Sequence, residues 1–354
     1  MTQRANQPPV PVTIVTGFLG SGKTTLLNHL LRVPDLADTA VIVNEFGEVG
    51  LDHLLIEQAI ENAVLLKNGC ICCTVRGDIA DTLEMLFDRR ERGEIPYFRR
   101  IAIETTGLAD PGPVAHTLVE EGGAYACRLA GIVTTLDALH GVAQLRDRDE
   151  ARKQVAMADR ILLTKGDLAG EGGLASVMRA VRTLNAVAPV QAVLHGEAAA
   201  DDVFGLEPEA SLAAHSLHTE PHDHDHGHTH DDALHAAGIG ATVVRHAGAV
   251  PWPGLRLWLD SLLSVRGEDV LRLKGVVRLA GHDRPMVLQG VHHVLHPPSP
   301  LPASAPAPET SEIVVIGVRL PADGLQASFD TAMAAADSLS GPSSADFRET
   351  GRWR

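Results

Sequence analysis

The residues with the clearest chemical potential lie near the start of the chain, where Lys23 and Thr24 close a glycine-rich segment. Residues 17–24 fit the spacing G-x-x-x-x-G-K-[ST], between a β-branched run at Val10–Thr16 and leucines at helical spacing. In such a phosphate loop, backbone N–H groups surround a phosphate chain, the lysine reaches the β- and γ-phosphates and the threonine hydroxyl ligates Mg²⁺. An ordinary glycine-rich turn is the alternative, and the flanking pattern favours the nucleotide site. The predicted binding residues are Gly17, Phe18, Leu19, Gly20, Ser21, Gly22, Lys23, Thr24 and Thr25.

An acidic residue, Glu104, follows the apolar run Ile101–Ile103 and precedes Thr105, Thr106 and Gly107. A carboxylate at the end of a buried strand suits the second Mg²⁺-associated position of a phosphate-loop enzyme. Gly107 would approach the γ-phosphate and move when that phosphate leaves. A solvated carboxylate at a strand end is the alternative. We predict Lys23, Thr24, Glu104 and Gly107 as the catalytic group.

The base of the nucleotide has its own candidate segment, the base loop formed by Thr164, Lys165, Gly166 and Asp167. An aspartate here can accept hydrogen bonds from both N1–H and the 2-amino group of guanine, which adenine lacks. The stem of Lys165 would lie over the base plane. GTPases usually carry asparagine where Thr164 stands, and a turn without a nucleotide role is the competing reading. The pattern favours GTP as the nucleotide.

Three of the four cysteines crowd into a cysteine motif, Cys70-Ile71-Cys72-Cys73. Cys70 and Cys72 share one face of an extended backbone and can grip one ion, and thiolates favour Zn²⁺ in a cell. Glu45, Glu48, water or a ligand from another protein would complete an open coordination sphere, as a metal donor requires. Inert buried thiols and a redox sensor are the alternatives. Cys127 stands apart and is expected to be a small buried side chain.

A histidine-rich stretch contains eight histidines between His215 and His235, and no apolar periodicity survives there. Neutral imidazoles interleaved with aspartates bind transition metals with modest affinity, which favours metal buffering or loading over a merely solvated linker. The candidate ligands are His222, His224, His226, His228 and His230.

The amino-acid composition indicates which kinds of binding partner are disfavoured. The 354 residues include 30 basic and 45 acidic side chains, a formal charge of −15, with 45% hydrophobic and 3% aromatic content. This balance disfavours nucleic acid and anionic membranes, and four cysteines are too few for a disulfide scaffold. No apolar run is long enough to span a bilayer and Met1–Pro9 lacks an apolar signal core, so we expect a cytoplasmic protein.

The order of patterns predicts the fold class. Short β-branched runs alternate with amphipathic segments over the first two hundred residues, which indicates an α/β domain with a mostly parallel sheet and helices on both faces. The predicted strands are 10–16, 40–44, 63–66, 100–104, 131–136, 160–164 and 189–193, and the predicted helices are 24–32, 76–92, 113–120, 151–158 and 173–186.

A smaller α+β domain is expected after the histidine-rich stretch. Its apolar pattern resumes at Gly240–His246 and gives helices near 255–264 and 324–335, with strands near 270–279, 286–295 and 312–319. Residues 297–308 read as a loop. The predicted domains are 1–205, a flexible linker at 206–240, 241–337, and a tail at 338–354.

Together these motifs resemble the CobW-like group of phosphate-loop GTPases. The resemblance includes residues 17–24, 44–50, 70–73, 104–107 and 164–167, continues through 271–275 and 288–292, and covers roughly residues 10–335. It implies GTP hydrolysis coupled to delivery of a transition metal to a client metalloprotein, with Zn²⁺ the usual metal and Co²⁺ or Ni²⁺ as alternatives. It also implies that Cys70, Cys72 and Cys73 bind the metal, with Glu48 a nearby candidate. A homo-oligomer is left open.

Three rival functions remain at this point. One is a metal-responsive binding module in which nucleotide locks a conformation without significant turnover. Another is cobalt delivery for synthesis of a cobalamin-type cofactor. The third, an ATP-dependent small-molecule kinase, shares the phosphate loop but lacks a second substrate constellation, and Asp167 disfavours adenine.

Overall fold

The structure, a computed structural model, describes residues 8–33, 36, 38–44, 64–67, 75–120, 122–123, 125–206 and 238–338. The chain divides into two compact units with the boundary after Leu206, and the short segment 182–187 is grouped with the second unit. The exact bounds of the four predicted domains stay a prediction.

The first unit is built on a seven-stranded sheet in the order β3-β2-β4-β1-β5-β6-β7. Every neighbouring pair is parallel, so all strands end at the same edge. The predicted parallel sheet is therefore confirmed. The strands are β1 Val10–Thr16, β2 Thr39–Asn44, β3 Val64–Lys67, β4 Arg100–Thr105, β5 Cys127–Asp137, β6 Arg160–Thr164 and β7 Val190–Ala192.

Helices cover both faces of this sheet. Ile14 and Val15 are neighbours on β1, point to opposite faces, and are both fully buried. On the Val15 face, Leu26, Leu27 and Leu30 pack into the core. The helices of this unit are α1 Lys23–Leu30, α2 Val75–Glu91, α3 Gly112–Glu120, α4 Gly141–Asp147, α5 Asp149–Met157, α6 Gly166–Leu184 and α7 Ala200–Phe204.

Two departures from the predicted helices have local causes. Helix α6 starts at Gly166 rather than 173, because its first turn precedes a break at Gly170, whose φ is 65°. Helices α4 and α7 were not predicted, since seven and five residues are too short for a clear apolar period.

The second unit is a six-stranded sheet in the order β11-β10-β9-β13-β8, with β12 paired to β10, and every pair is antiparallel. Its core includes Leu255, Leu259, and an edge-to-face pair of Trp258 and Phe329 with ring centroids 5.1 Å apart. The elements are β8 Ile239–Ala247, α8 Trp252–Arg266, β9 Val270–Val277, β10 Met286–Val291, β11 Val294–Leu295, β12 Ser299–Pro300, β13 Thr310–Val318 and α9 Ala322–Ser338.

The α+β prediction is confirmed, with two corrections. The predicted strand 286–295 is a hairpin, because the chain turns at His292 (φ 50°) and β11 pairs back on β10. The predicted loop 297–308 contributes the short strand β12. Within the described ranges, no helix of either unit is both long and apolar enough to cross a membrane.

Candidate nucleotide site

A cleft of about 260 Å³ opens at the carboxyl edge of the parallel sheet. Ligands of such sheets bind at this edge, and the cleft brings together the phosphate loop, the end of β4 and the base loop. Its lining residues are Leu19, Gly20, Gly22, Lys23, Thr24, Thr25, Glu104, Thr105, Thr106, Gly107 and Lys165.

The phosphate loop follows β1 directly, and its backbone requires glycine at two positions. Gly17 has a φ of 144°, and a Cβ there would lie 2.3 Å from the carbonyl oxygen of Thr135. Gly22 has a φ of 96° immediately before α1, where it turns the chain into the helix. The loop therefore leads into a helix N-terminus, the arrangement that binds anionic phosphate.

Lys23 and Thr24 are held at the floor of the cleft. The Lys23 Nζ donates to the carbonyl oxygens of Gly17 at 2.7 Å and Phe18 at 3.4 Å. The Thr24 hydroxyl donates to Glu104 Oε1 at 3.0 Å. The two residues assigned to Mg²⁺ from the sequence thus meet, although 80 residues separate them in the chain.

Buried hydroxyl groups support the phosphate loop from below. Ser21 and Thr135 are joined by a hydrogen bond of 2.6 Å, and Thr105 donates to Thr16 at 2.7 Å. All four residues are at most 1% exposed. The side chain of Ser21 therefore points into the protein and fixes the loop, whereas the sequence had placed it among the binding residues without distinguishing its role.

The base loop is tied to the phosphate loop by Thr164. Its hydroxyl donates to the carbonyl oxygen of Ser21 at 2.7 Å, so threonine makes the connection for which GTPases usually carry asparagine. Lys165 Nζ donates to the carbonyl oxygen of Gly20 at 2.8 Å. Asp167 lies exposed in the first turn of α6. Two loops predicted separately from the sequence are therefore one connected wall.

Asp137, at the end of β5, was not predicted as a site residue. Its Oδ1 accepts from the backbone N–H groups of Leu139 and His140, and its Oδ2 lies 2.8 Å from Lys165 Nζ and 3.1 Å from His140 Nδ1. Burial alone would raise the pKa of this carboxyl, but the hydrogen bonds from Lys165, His140 and Leu139 lower it below the ordinary value. The carboxylate is therefore ionised beside the base loop at neutral pH.

The segment after β4, residues 106–111, which we term the sensor loop, packs tightly on the phosphate loop. A Cβ at Gly107 would lie 2.7 Å from the backbone nitrogen of Leu19, so no larger residue fits without movement. Gln154, a fully buried residue of α5, donates through Nε2 to the carbonyl oxygens of Gly107 at 3.2 Å and Ala109 at 3.0 Å. No sequence motif pointed to Gln154.

The residues predicted to bind the transition metal lie in segments that the structure does not describe. Glu45, Glu48 and the cysteine motif Cys70, Cys72 and Cys73 lie outside the described residues, as do His222, His224, His226, His228 and His230. Cys127 is described: it is 2% exposed, and burial raises the pKa of its thiol to about 12, so it stays protonated. The expectation that Cys127 is a buried, chemically quiet side chain is confirmed.

The parallel sheet, glycine loop, and Thr24–Glu104 pair define a phosphate-loop nucleotide-binding protein. Residues 11–192 match the family described as CobW/HypB/UreG, nucleotide-binding domain, and residues 239–333 match the cobalamin synthesis protein cobW C-terminal domain. The chain belongs to this CobW family.

Relatives align along most of the chain. It is 35% identical over 324 residues to the zinc chaperone YjiA of Escherichia coli, an alignment that covers 91% of this chain and 98% of the relative. It is 32% identical to the zinc chaperone CobW of a Sinorhizobium species, over 82% and 87% of the two chains. The crystal structure of the Zn(II)-bound YjiA GTPase from E. coli superposes with a TM-score of 0.68 at 30% identity and covers 92% and 99%.

Proposed function

We propose that this protein hydrolyses GTP and uses the cycle to deliver a transition metal, zinc foremost, to client metalloproteins. The observation that carries the nucleotide half is the hydrogen bond between Thr24 and Glu104 at the floor of a glycine phosphate loop. The metal half is supported by the likeness to proteins named zinc chaperones over most of the chain.

The oxygen donors at the cleft floor fit Mg²⁺. A hydroxyl and a carboxylate 3.0 Å apart are hard ligands of the kind this ion prefers, and both lie beside the loop that receives phosphates. Thr24 and Glu104 would hold the ion, the latter directly or through water. Bound there, Mg²⁺ would neutralise charge on the β- and γ-phosphate oxygens. Lys23, now bonded to the loop's own carbonyl oxygens, would turn to the phosphates.

Guanine is the base that the base loop favours. Asp167 stands exposed at the start of α6, where a purine edge can approach it, and offers acceptors only. Two acceptor oxygens match the two N–H groups on guanine and no group on the corresponding edge of adenine. Thr164 and Lys165 hold the segment in place through Ser21 and Gly20.

The sheet order supports coupling between metal and nucleotide. β3, β2 and β4 are consecutive neighbours, so the chain leaves all three strands at the same edge. In the sequence, the cysteine motif follows β3, Glu45 and Glu48 follow β2, and the sensor loop follows β4. A change in the sensor loop on loss of γ-phosphate would therefore act two strands away from the end of β3, and the cysteine motif begins three residues later in the sequence.

Cys70, Cys72 and Cys73 are the proposed zinc ligands, with Glu48 or a client ligand at the remaining position. An incompletely filled site can pass its ion on, whereas a closed four-ligand site retains it. The histidines at 222, 224, 226, 228 and 230 are proposed to buffer or load the ion.

The nucleotide half is tested by comparing GTP and ATP hydrolysis in the native protein and in Lys23→Ala. We expect GTP turnover, little ATP turnover, and a loss of at least about 100-fold in the variant, because the lysine supplies charge to the transferring phosphate. Arg146→Ala, which removes an exposed cation from α4, is the control and should retain full activity. Absence of turnover with metal and client present would favour the switch-like binding module instead.

The metal half is tested by measuring zinc in protein purified from zinc-replete cytosol. Cys72→Ser should lose bound zinc, whereas Cys127→Ala should retain it, because Cys127 is buried and protonated. Equal zinc in the native protein and Cys72→Ser would reject the cysteine motif as the site. Replacing zinc by Co²⁺ or Ni²⁺ in the same assay ranks the alternative metals.

Coupling is tested by titrating a GTP analogue with and without Zn²⁺. Linkage requires metal to change nucleotide affinity by the same factor as nucleotide changes metal affinity. Identical dissociation constants, with both ligands shown to bind, would remove the coupling.

A further inference from the structure

Asp137 lies where three segments of the nucleotide site meet. It ends β5, pairs in register with Thr164 of β6, and its side chain is 2% exposed. Four hydrogen bonds reach its two oxygens, two of them from backbone N–H groups that follow it in the chain. The carboxylate is therefore fixed in direction before any ligand enters the cleft.

Lys165 is constrained at both its backbone and its side chain. Its backbone φ is 57°, a left-handed value that a lysine adopts only when its surroundings impose it. Its Nζ bridges Asp137 Oδ2 and the carbonyl oxygen of Gly20, both at 2.8 Å. The long lysine stem thus spans from the end of β6 to the phosphate loop along the wall of the cleft.

We propose that Asp137 is a positioning residue for nucleotide binding, which holds Lys165 across the cleft wall so that the base side is formed in advance. This inference rests on the proposed binding of GTP. The side-chain entropy of this flexible lysine is then lost when the protein folds and not when the nucleotide binds. Nothing in the sequence marks Asp137, because it belongs to no motif and lies 28 residues from Lys165.

The Asp137–Lys165 pair is distinct from the residues proposed to act at the γ-phosphate. The Asp137–Lys165 pair touches Gly20 of the phosphate loop, whereas the groups at the γ-phosphate side are Thr24, Glu104 and Gly107. Loss of Asp137 should therefore weaken GDP and GTP equally and raise KM for GTP, while kcat stays near its native value.

The test is the dissociation constant for GDP and GTP, together with kcat and KM, in Asp137→Asn. Loss of one charged hydrogen bond predicts about tenfold weaker binding of both nucleotides. Asp147→Asn, the same change at an exposed carboxylate paired with Arg146, is the matched control and should bind as the native protein does. Asp137→Glu keeps the charge but displaces it by one methylene, so it should fold and show part of the loss.

A double-mutant cycle shows whether Asp137 acts through Lys165. In a Lys165→Met background, Asp137→Asn should change nucleotide affinity by no more than about twofold, because the lysine it positions is gone. A full tenfold loss in that background, native affinity in both Asp137 variants, or a fall in kcat at unchanged affinity would overturn the inference. If the native protein itself fails to bind GTP and GDP, the proposed function falls first and this inference with it.

Discussion

The two sides of the cleft differ in how complete they are before nucleotide enters. On the base side, Thr164 and Lys165 already contact the phosphate loop, and Asp137 holds Lys165 through a carboxylate that is 2% exposed. On the phosphate side, Lys23 is bonded to the loop's own carbonyl oxygens. In the proposed GTPase, base recognition would use groups that are already in place, while the chemistry would use groups that must exchange partners. Such a difference would suit a GTPase cycle, because nucleotide affinity can persist while one side of the cleft responds to the γ-phosphate.

The largest effect should come from breaking the phosphate side at Glu104. Glu104→Gln removes the carboxylate charge beside Thr24, so we expect kcat for GTP to fall by about 100-fold and the Mg²⁺ requirement to rise. GDP affinity without Mg²⁺ should change little. Steady-state hydrolysis across Mg²⁺ concentrations measures this, with the exposed Glu171→Gln of α6 as the control. Equal weakening of GDP would place Glu104 on the binding side instead.

Gly107→Ala sharpens the comparison by filling the space between the sensor loop and the phosphate loop. The new Cβ would lie 2.7 Å from the Leu19 nitrogen, so one loop must move. We expect GTP to bind about tenfold more weakly and GDP to bind within about twofold of native, since in the proposed site only the γ-phosphate of GTP would approach the sensor loop. Gly172→Ala, where a Cβ meets nothing within 4 Å, is the control.

Thr164→Val probes the base side at its connection to Ser21. Loss of one buried hydrogen bond should cost about 1 kcal/mol, or roughly fivefold in affinity, and the loss should be the same for GTP and GDP. Thr164→Ser keeps the hydroxyl and should bind normally. A loss confined to GTP would contradict the division between the two sides.

The smallest effect concerns stability in acid. The pKa of Asp137 is lower in the folded protein than its ordinary 3.8, so the unfolded chain binds more protons between these values. Its contribution to the free energy of unfolding is complete above about pH 5 and is lost as pH falls through 3.8 towards the folded pKa. Denaturant unfolding from pH 3 to 7 should therefore show a shallower acid slope in Asp137→Asn than in the native protein. Equal slopes would mean that Asp137 is not the group responsible.

The features that were predicted correctly are those encoded within a short stretch of the sequence. The strands at 10–16 and 160–164 matched in full because each is an apolar run followed within two residues by glycine. The phosphate loop matched because its spacing is fixed by backbone geometry. The pairing of Thr24 with Glu104 followed from the rule that parallel strands end at one edge.

The roles of some site residues could not be predicted, because these roles depend on contacts between segments that are distant in the sequence. Asp137 and Gln154 belong to no motif, and their roles come from partners 28 and 47 residues away. Thr164 departs from the usual asparagine, and only the 2.7 Å contact with Ser21 reveals that a shorter side chain makes the same connection. The prediction for the cysteine motif falls outside the described residues and awaits the zinc measurements.

The place of β1 in the sheet bears on how the chain is made. β1 precedes the other strands of this sheet in the chain yet lies at its centre, with Val12 paired to Ile101 on one side and Leu129 on the other. The ribosome must therefore release more than a hundred residues before this apolar strand has both neighbours. Such distant pairings slow folding and expose unpaired strand edges meanwhile. We expect the nascent first unit to need a chaperone's protection until β5 emerges.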